Sequence, residues 1–194
     1  MSWAIWITGL PGSGKTTLAR SAAAALEARG IPVKVLELDE IREVITPEPA
    51  YTDAEGDIVH RALVYMARLL TEAGVPVIID ATAHRRAWRE LARELIPVFA
   101  EVQLRCPAEV CHEREQTRPR GRAPVSIYGH SLPRGTAGPA VDVPYEISLA
   151  PELRLDTQAS DRWTQVQEIV YLARRLDRRA SAKDACAHRR LSCK

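Results

Sequence analysis

Aromatic residues are scarce in this sequence, with one phenylalanine, five tyrosines and four tryptophans among 194 residues. A channel that stacks successive bases of single-stranded nucleic acid needs more rings than this. The lone Phe99 falls inside a predicted strand. No apolar run approaches the roughly 18 residues of a membrane span, so no membrane partner is expected. The stretch Met1 to Thr8 is interrupted by glycine too soon to read as a signal peptide. The four cysteines, Cys106, Cys111, Cys186 and Cys193, include no Cys-x-x-Cys pair, which argues against a zinc site or a disulfide framework. Charge is nearly balanced at +2, too little to point to nucleic acid or a membrane surface. Internal repeats are absent, and so is the Asn-Lys-x-Asp stretch with which a GTPase reads its base. The remaining expectation is a cytoplasmic protein of one folded domain.

What the sequence does have is an alternation of buried-strand and helical patterns, the mark of a parallel sheet with crossover helices. Strands are expected over residues 3–7, 33–38, 75–79, 98–104 and 153–156. Helices are expected over 16–28, 53–73, 87–95, 108–117 and 162–176, with Gly30, Gly74 and Pro97 as stops. Between 118 and 144 glycine, proline and arginine dominate and no period survives, which reads as a lid loop. The expected fold is therefore a doubly wound α/β domain, a parallel sheet flanked by helices, over residues 1–176. Residues 177–194 are polar and basic and are expected to be frayed or disordered.

Gly9-Leu10-Pro11-Gly12-Ser13-Gly14-Lys15-Thr16-Thr17 fits G-x-x-x-x-G-K-[ST] at every fixed position, between a predicted strand and a predicted helix. Such a loop curls its backbone N–H groups around phosphate at a helix N-terminus. Lys15 would reach the β- and γ-phosphates of ATP, and the Thr16 hydroxyl would ligate Mg²⁺. Carboxyl ends of strands in this fold face the ligand crevice. Asp39 and Arg42 follow the second strand: a carboxylate there can take the proton of an attacking hydroxyl, and the arginine can hold an acceptor's charge. Asp39 could also cap the next helix, and the two roles are compatible. Asp80 ends the third strand where a Mg²⁺-holding carboxylate belongs, and Thr82 lies on the same side two residues on. With these residues the expected α/β fold is of the P-loop kinase type.

Beyond these motifs, the sequence resembles the adenylylsulfate kinase family from about Trp3 to Thr157. Glu37-Leu-Asp39-Glu-Ile-Arg42 resembles the family's L-D-G-D-x-x-R, with Asp39 on the second aspartate. Glu101 to Arg114 resembles its strand and C-x-x-R helix, through Cys111 and Arg114. Val143-Pro-Tyr145-Glu146 and Pro151 to Thr157 resemble its ending. The resemblance implies an ATP- and Mg²⁺-dependent kinase acting on the 3′-hydroxyl of adenylylsulfate. It implies Asp39, Lys15 and Arg42 as the catalytic set, Arg114 on the ATP side, and Arg42, Tyr51, Arg61 and Thr82 as contacts of a small-molecule acceptor. Thr16 and Asp80 would hold the metal. A homodimer is admitted among partners, and nucleic acid ranks last.

Departures from the family fall on the acceptor side. Counting back from Gly74, an arginine and an asparagine that hold the sulfated nucleotide become Gly56 and Val59. The stacking ring of F-T-G-I-D is missing from Gly138-Pro-Ala-Val-Asp142. The alternatives to adenylylsulfate are another nucleotide or small hydroxyl compound, a polynucleotide 5′-hydroxyl, or a non-catalytic nucleotide switch. His84, Arg85 and Arg86 enter the crevice side and suit an anion or a solvated helix start equally. Arg118, Arg120 and Arg122 are lid candidates for transition-state charge. Trp3, Trp6, Trp88 and Trp163 read as packing, and the Cys186, His188, Cys193 tail as unstructured.

Overall fold

The computed structural model describes residues 1–117 and 144–191, the side chains of 184–191 aside. Five strands form one parallel sheet in the order β2-β3-β1-β4-β5: β1 (Ala4–Thr8), β2 (Lys34–Glu37), β3 (Val77–Asp80), β4 (Phe99–Arg105) and β5 (Leu153–Asp156). The helices are α1 (Lys15–Glu27), α2 (Leu38–Ile45), α3 (Asp53–Glu72), α4 (Arg86–Leu95), α5 (Ala108–Gln116) and α6 (Arg162–Leu191).

Because β1 is central, both of its faces are buried and every residue from Ala4 to Thr8 is hidden. Trp3, Ile5 and Ile7 face a core closed by Leu18, Ala22 and Leu26 of α1 and by Ile169, Ala173 and Leu176 of α6. Ala4 and Trp6 face the opposite core, closed by Leu63 and Ala67 of α3 and Trp88 and Ala92 of α4. This two-residue alternation is what a strand covered by helices on both sides demands. Trp3 and Trp6 are the packing residues expected: their indole N–H groups donate to Asp177 at 3.3 Å and to the Ala81 carbonyl at 3.0 Å.

In register, Ile7 pairs with Asp80 and Glu37 pairs with Asp80 from the other side, so β1, β2 and β3 end together. The strand order reverses at β1, which makes that edge the ligand-facing crevice.

The structure differs from the sequence-based expectation at two elements. Pattern reading assigns no helix to Leu38–Ile45, yet α2 starts directly after β2 with Glu37 at its cap position. Asp39 thus sits in its first turn and does not cap it. Leu38 and Ile41 pack on the second core, and a three-residue apolar spacing in eight residues is too short to stand out. The basic tail expected to fray from 177 continues α6 to Leu191. Leu176 and Ala180 bury against the first core and Lys183 donates to the Pro97 carbonyl at 2.8 Å, which holds the helix past the predicted end. The lid expected over 118–144, with Arg118, Arg120, Arg122 and Gly138 to Asp142, lies outside the described residues except for Pro144.

Candidate active site

The loop from Gly9 to Thr17 turns from β1 into α1 as the motif requires. Gly12 has φ 77° and Gly14 φ 96°, conformations that side chains rarely adopt. Gly12 also lacks room, since a Cβ there would lie 2.2 Å from the Cys111 carbonyl oxygen of α5. Pro11, Gly12, Gly14, Lys15, Thr16 and Thr17 line a cavity of about 620 Å³. Gly9, Leu10 and Ser13 shape the loop behind it. The Ser13 hydroxyl is buried without a partner, and Lys15 Nζ folds back onto the Leu10 carbonyl at 3.0 Å. Burial lowers the Lys15 pKa, opposed by the charges of Asp80 and Asp39. A buried ammonium on a neutral carbonyl and an unpartnered hydroxyl suit a cradle built for anionic oxygens.

Asp80 ends β3 at 6% exposure and lines the same cavity as Thr16. Burial raises its pKa, while the charge of Lys15 and the neighbouring Thr16 hydroxyl pull it back. Asp39 projects from the first turn of α2 into the same cavity, exposed. Glu37 is tied to Arg20 through two bonds of 2.7 Å. Arg114 lines the cavity from α5, its Nη1 3.6 Å from Cys106 Sγ.

The acceptor side is built from α2, α3 and the stretch after β3. Thr52 caps α3 by accepting from the Glu55 N–H at 3.2 Å. Glu55 then accepts from the Ala50 and Tyr51 N–H groups and, through its other oxygen, from Arg42 at 2.6 Å. Those bonds hold Tyr51 at φ 53°, a strained value for a non-glycine residue, with the Arg42 guanidinium 5.3 Å from its ring. Thr82 lines the cavity, and its carbonyl accepts from Thr8 Oγ1 at 2.6 Å. Behind it, buried Arg89 pairs with Glu101 at 2.8 Å and donates to the carbonyls of Ala83 and Glu146, fixing the chain beside the site.

Arg61 does not join this group. It is exposed on α3 and is absent from the cavity lining, one residue and about 100° round the helix from His60. Val59 is fully buried and does not line the cavity, whereas Gly56 does.

Sequence reading missed the aromatic wall. Trp88, taken as packing, lines the cavity and stacks on His60 with centroids 3.7 Å apart and planes at 11°. His84 meets its edge at 4.8 Å, and its indole N–H donates to Asp57 at 2.6 Å. The available signal was the four-residue spacing of Gly56 and His60, which puts both on one face of α3.

A phosphate loop, a buried carboxylate sharing its cavity with the loop threonine and a second carboxylate across that cavity define a P-loop phosphotransferase. Residues 1–156 match the family model described as adenylylsulphate kinase. The chain is 38% identical over 162 residues to a probable adenylyl-sulfate kinase from Archaeoglobus fulgidus, covering 84% of this chain and 100% of that protein. It is 35% identical over 149 residues to an adenylyl-sulfate kinase from Synechococcus, covering 77% and 81%. The solved structure of a Mycobacterium tuberculosis APS kinase in complex with AMPPNP and APS superposes with a TM-score of 0.71 at 27% identity, covering 88% of this chain and 96% of that one. The chain belongs to the adenylylsulfate kinase family, and it is an ATP-using kinase. No helix among the described residues is long and apolar enough to cross a membrane.

Proposed function

We propose that this kinase moves the γ-phosphoryl group of ATP onto the 3′-hydroxyl of adenylylsulfate. The observation that carries the reading is one cavity in which the phosphate loop and the Asp39–Arg42–Tyr51 group face each other, on a chain whose family match spans both halves. Asp39 orients the acceptor hydroxyl and takes its proton as that oxygen bonds to the γ-phosphorus and the bond from the γ-phosphorus to the bridging oxygen of ADP breaks, ADP leaving. Lys15 and Arg114 offset the negative charge on the transferring group, and the loop N–H groups hold the β-phosphate in line.

The residues present fit Mg²⁺. The Thr16 hydroxyl and the buried Asp80 carboxylate line the cavity together with the phosphate loop, two hard oxygen donors where the phosphates of ATP would lie. Mg²⁺ held by one hydroxyl, one carboxylate, water and phosphate oxygens is the arrangement this ion prefers. When bound it would supply charge neutralisation at the phosphates, and Thr16 and Asp80 are the residues that would hold it.

Steady-state assays with ATP and adenylylsulfate test the reading through two variants. Lys15→Ala should abolish turnover in a folded protein. Asp39→Asn should lower kcat by about 10²-fold or more, with ATP affinity nearly unchanged. Collapse of ATP binding in Asp39→Asn would instead make Asp39 a metal or phosphate group. Turnover of a different hydroxyl compound in place of adenylylsulfate would keep the kinase and replace its acceptor.

A further inference from the structure

Three observations meet at the wall formed by α3 and the start of α4. His60 Nδ1 lies 2.7 Å from the Gly56 carbonyl, which can only accept, so the ring proton sits on Nδ1. Nε2 is left as a bare acceptor, buried and without a partner, on a side chain 3% exposed that lines the cavity. Second, the two arginines beside this wall already have carboxylates: Arg42 on Glu55 at 2.6 Å and Arg85 on Asp53 at 2.5 Å. Third, Gly56 carries no side chain, so the wall presents no cation of its own at that position, where a Cβ would lie at ordinary contact distance, 3.5 Å, from the Trp88 ring. A buried acceptor in a ligand cavity calls for a donor, and the two cations beside this wall are already offset by carboxylates.

Resting on the adenylylsulfate reading, we infer that the His60–Trp88–His84 wall is a specificity-determining subsite for the uncharged nucleoside part of the acceptor. An amino or hydroxyl hydrogen of the nucleoside is donated to His60 Nε2, and the anionic group is kept to the remainder of the cavity. Stacking on Trp88 fixes the plane of the imidazole, so the direction of the lone pair is set before the ligand arrives. His60 stays neutral, its pKa pushed down to about 3 by burial, and therefore remains an acceptor at neutral pH. His84 has its own buried, unpartnered Nε2 at the edge of the same ring and offers a second polar contact. The subsite replaces a charge-based contact by one that counts hydrogen-bond donors, which rejects analogues lacking the donor.

The test uses the full chain and two variants. His60→Phe keeps a ring on Trp88 and removes the acceptor; His60→Gln restores an acceptor oxygen. With adenylylsulfate and ATP, His60→Phe should raise the acceptor KM about tenfold, the usual worth of one buried hydrogen bond, with kcat within about twofold and the ATP KM unchanged. His60→Gln should recover most of the loss. Analogues lacking the 6-amino or the 2′-hydroxyl group identify the donor: for one of them His60→Phe should make no further difference. An equal penalty with every analogue overturns the subsite. Equilibrium binding of adenosine to protein loaded with a non-hydrolysable ATP analogue separates this inference from the assignment of the acceptor. Absence of wild-type turnover with His60-dependent adenosine binding overturns adenylylsulfate as substrate and keeps the subsite. Adenosine binding that is absent, or indifferent to His60→Phe, overturns the subsite.

Discussion

Burial that holds His60 neutral in the fold also makes stability depend on pH. The groups that act on it are the Gly56 carbonyl and Asp57, which favour its protonation, and Arg42 and His84, which oppose it; burial outweighs them all. With a folded pKa of about 3 against an ordinary 6.5, the unfolded chain binds a proton that the folded one refuses. Stability is therefore complete above about pH 6.5 and falls with acidification through that window. At about 1.4 kcal/mol per pH unit, going from pH 7 to pH 5 should cost on the order of 2 kcal/mol through this residue. Urea unfolding at both pH values measures it, and in His60→Phe that part of the loss should disappear. His84, shifted in the same direction by burial and Arg85, adds to the wild-type slope. At this scale the placement of the phosphate-side residues was legible because a loop motif fixes it by spacing. His60 and Trp88 were not, because they meet across 28 positions of sequence and only the packing of α3 on α4 brings them together.

At the scale of elements, the phosphate loop is held from outside by α5. Its two inner glycines make a controlled pair, since Gly12 and Gly14 both have positive φ but only Gly12 abuts another chain segment. Gly14→Ala meets nothing within 4 Å and should cost only the left-handed backbone strain, about 1–2 kcal/mol. Gly12→Ala drives a methyl group against the Cys111 carbonyl carbon and oxygen, at 2.9 and 2.2 Å, so the loop or the helix must move. A cost of about 3 kcal/mol or more is expected, with loss of ATP-analogue binding. Thermal melting should separate the two by several degrees, at roughly 2–4 °C per kcal/mol for a domain of this size. Equal melting temperatures would show that α5 yields freely. Most elements could be read from hydrophobic period and glycine stops, and their ends shifted by one or two residues. The short α2 escaped because its single apolar stripe merges with the end of β2.

For the molecule as a whole, the family match and the folding unit do not end together. Similarity to the family model stops at residue 156, yet α6 begins at Arg162 and, together with α1, closes one face of the sheet. Its sequence was legible as a helix as far as Leu176. The continuation was not, because the polar residues beyond give no period and only the contacts of Ala180 and Lys183 with the body of the fold reveal it. Val166, Ile169, Val170, Leu172 and Leu176 are each at most 6% exposed against β1, β4 and α1. At about 1.5–3 kcal/mol per buried side chain, these five contribute roughly 7–15 kcal/mol, as much as the whole net stability of a typical domain. A chain ending at Thr157 should therefore fail to fold, although it retains every residue assigned to the described phosphate and acceptor sites. A chain ending at Lys183 keeps all of these contacts and should melt within a few degrees of the full chain. Circular dichroism melts of both, with ATP-analogue binding as a second readout, decide the matter. A cooperative, ATP-binding protein ending at Thr157 would mean that α6 covers the sheet without being needed to hold it.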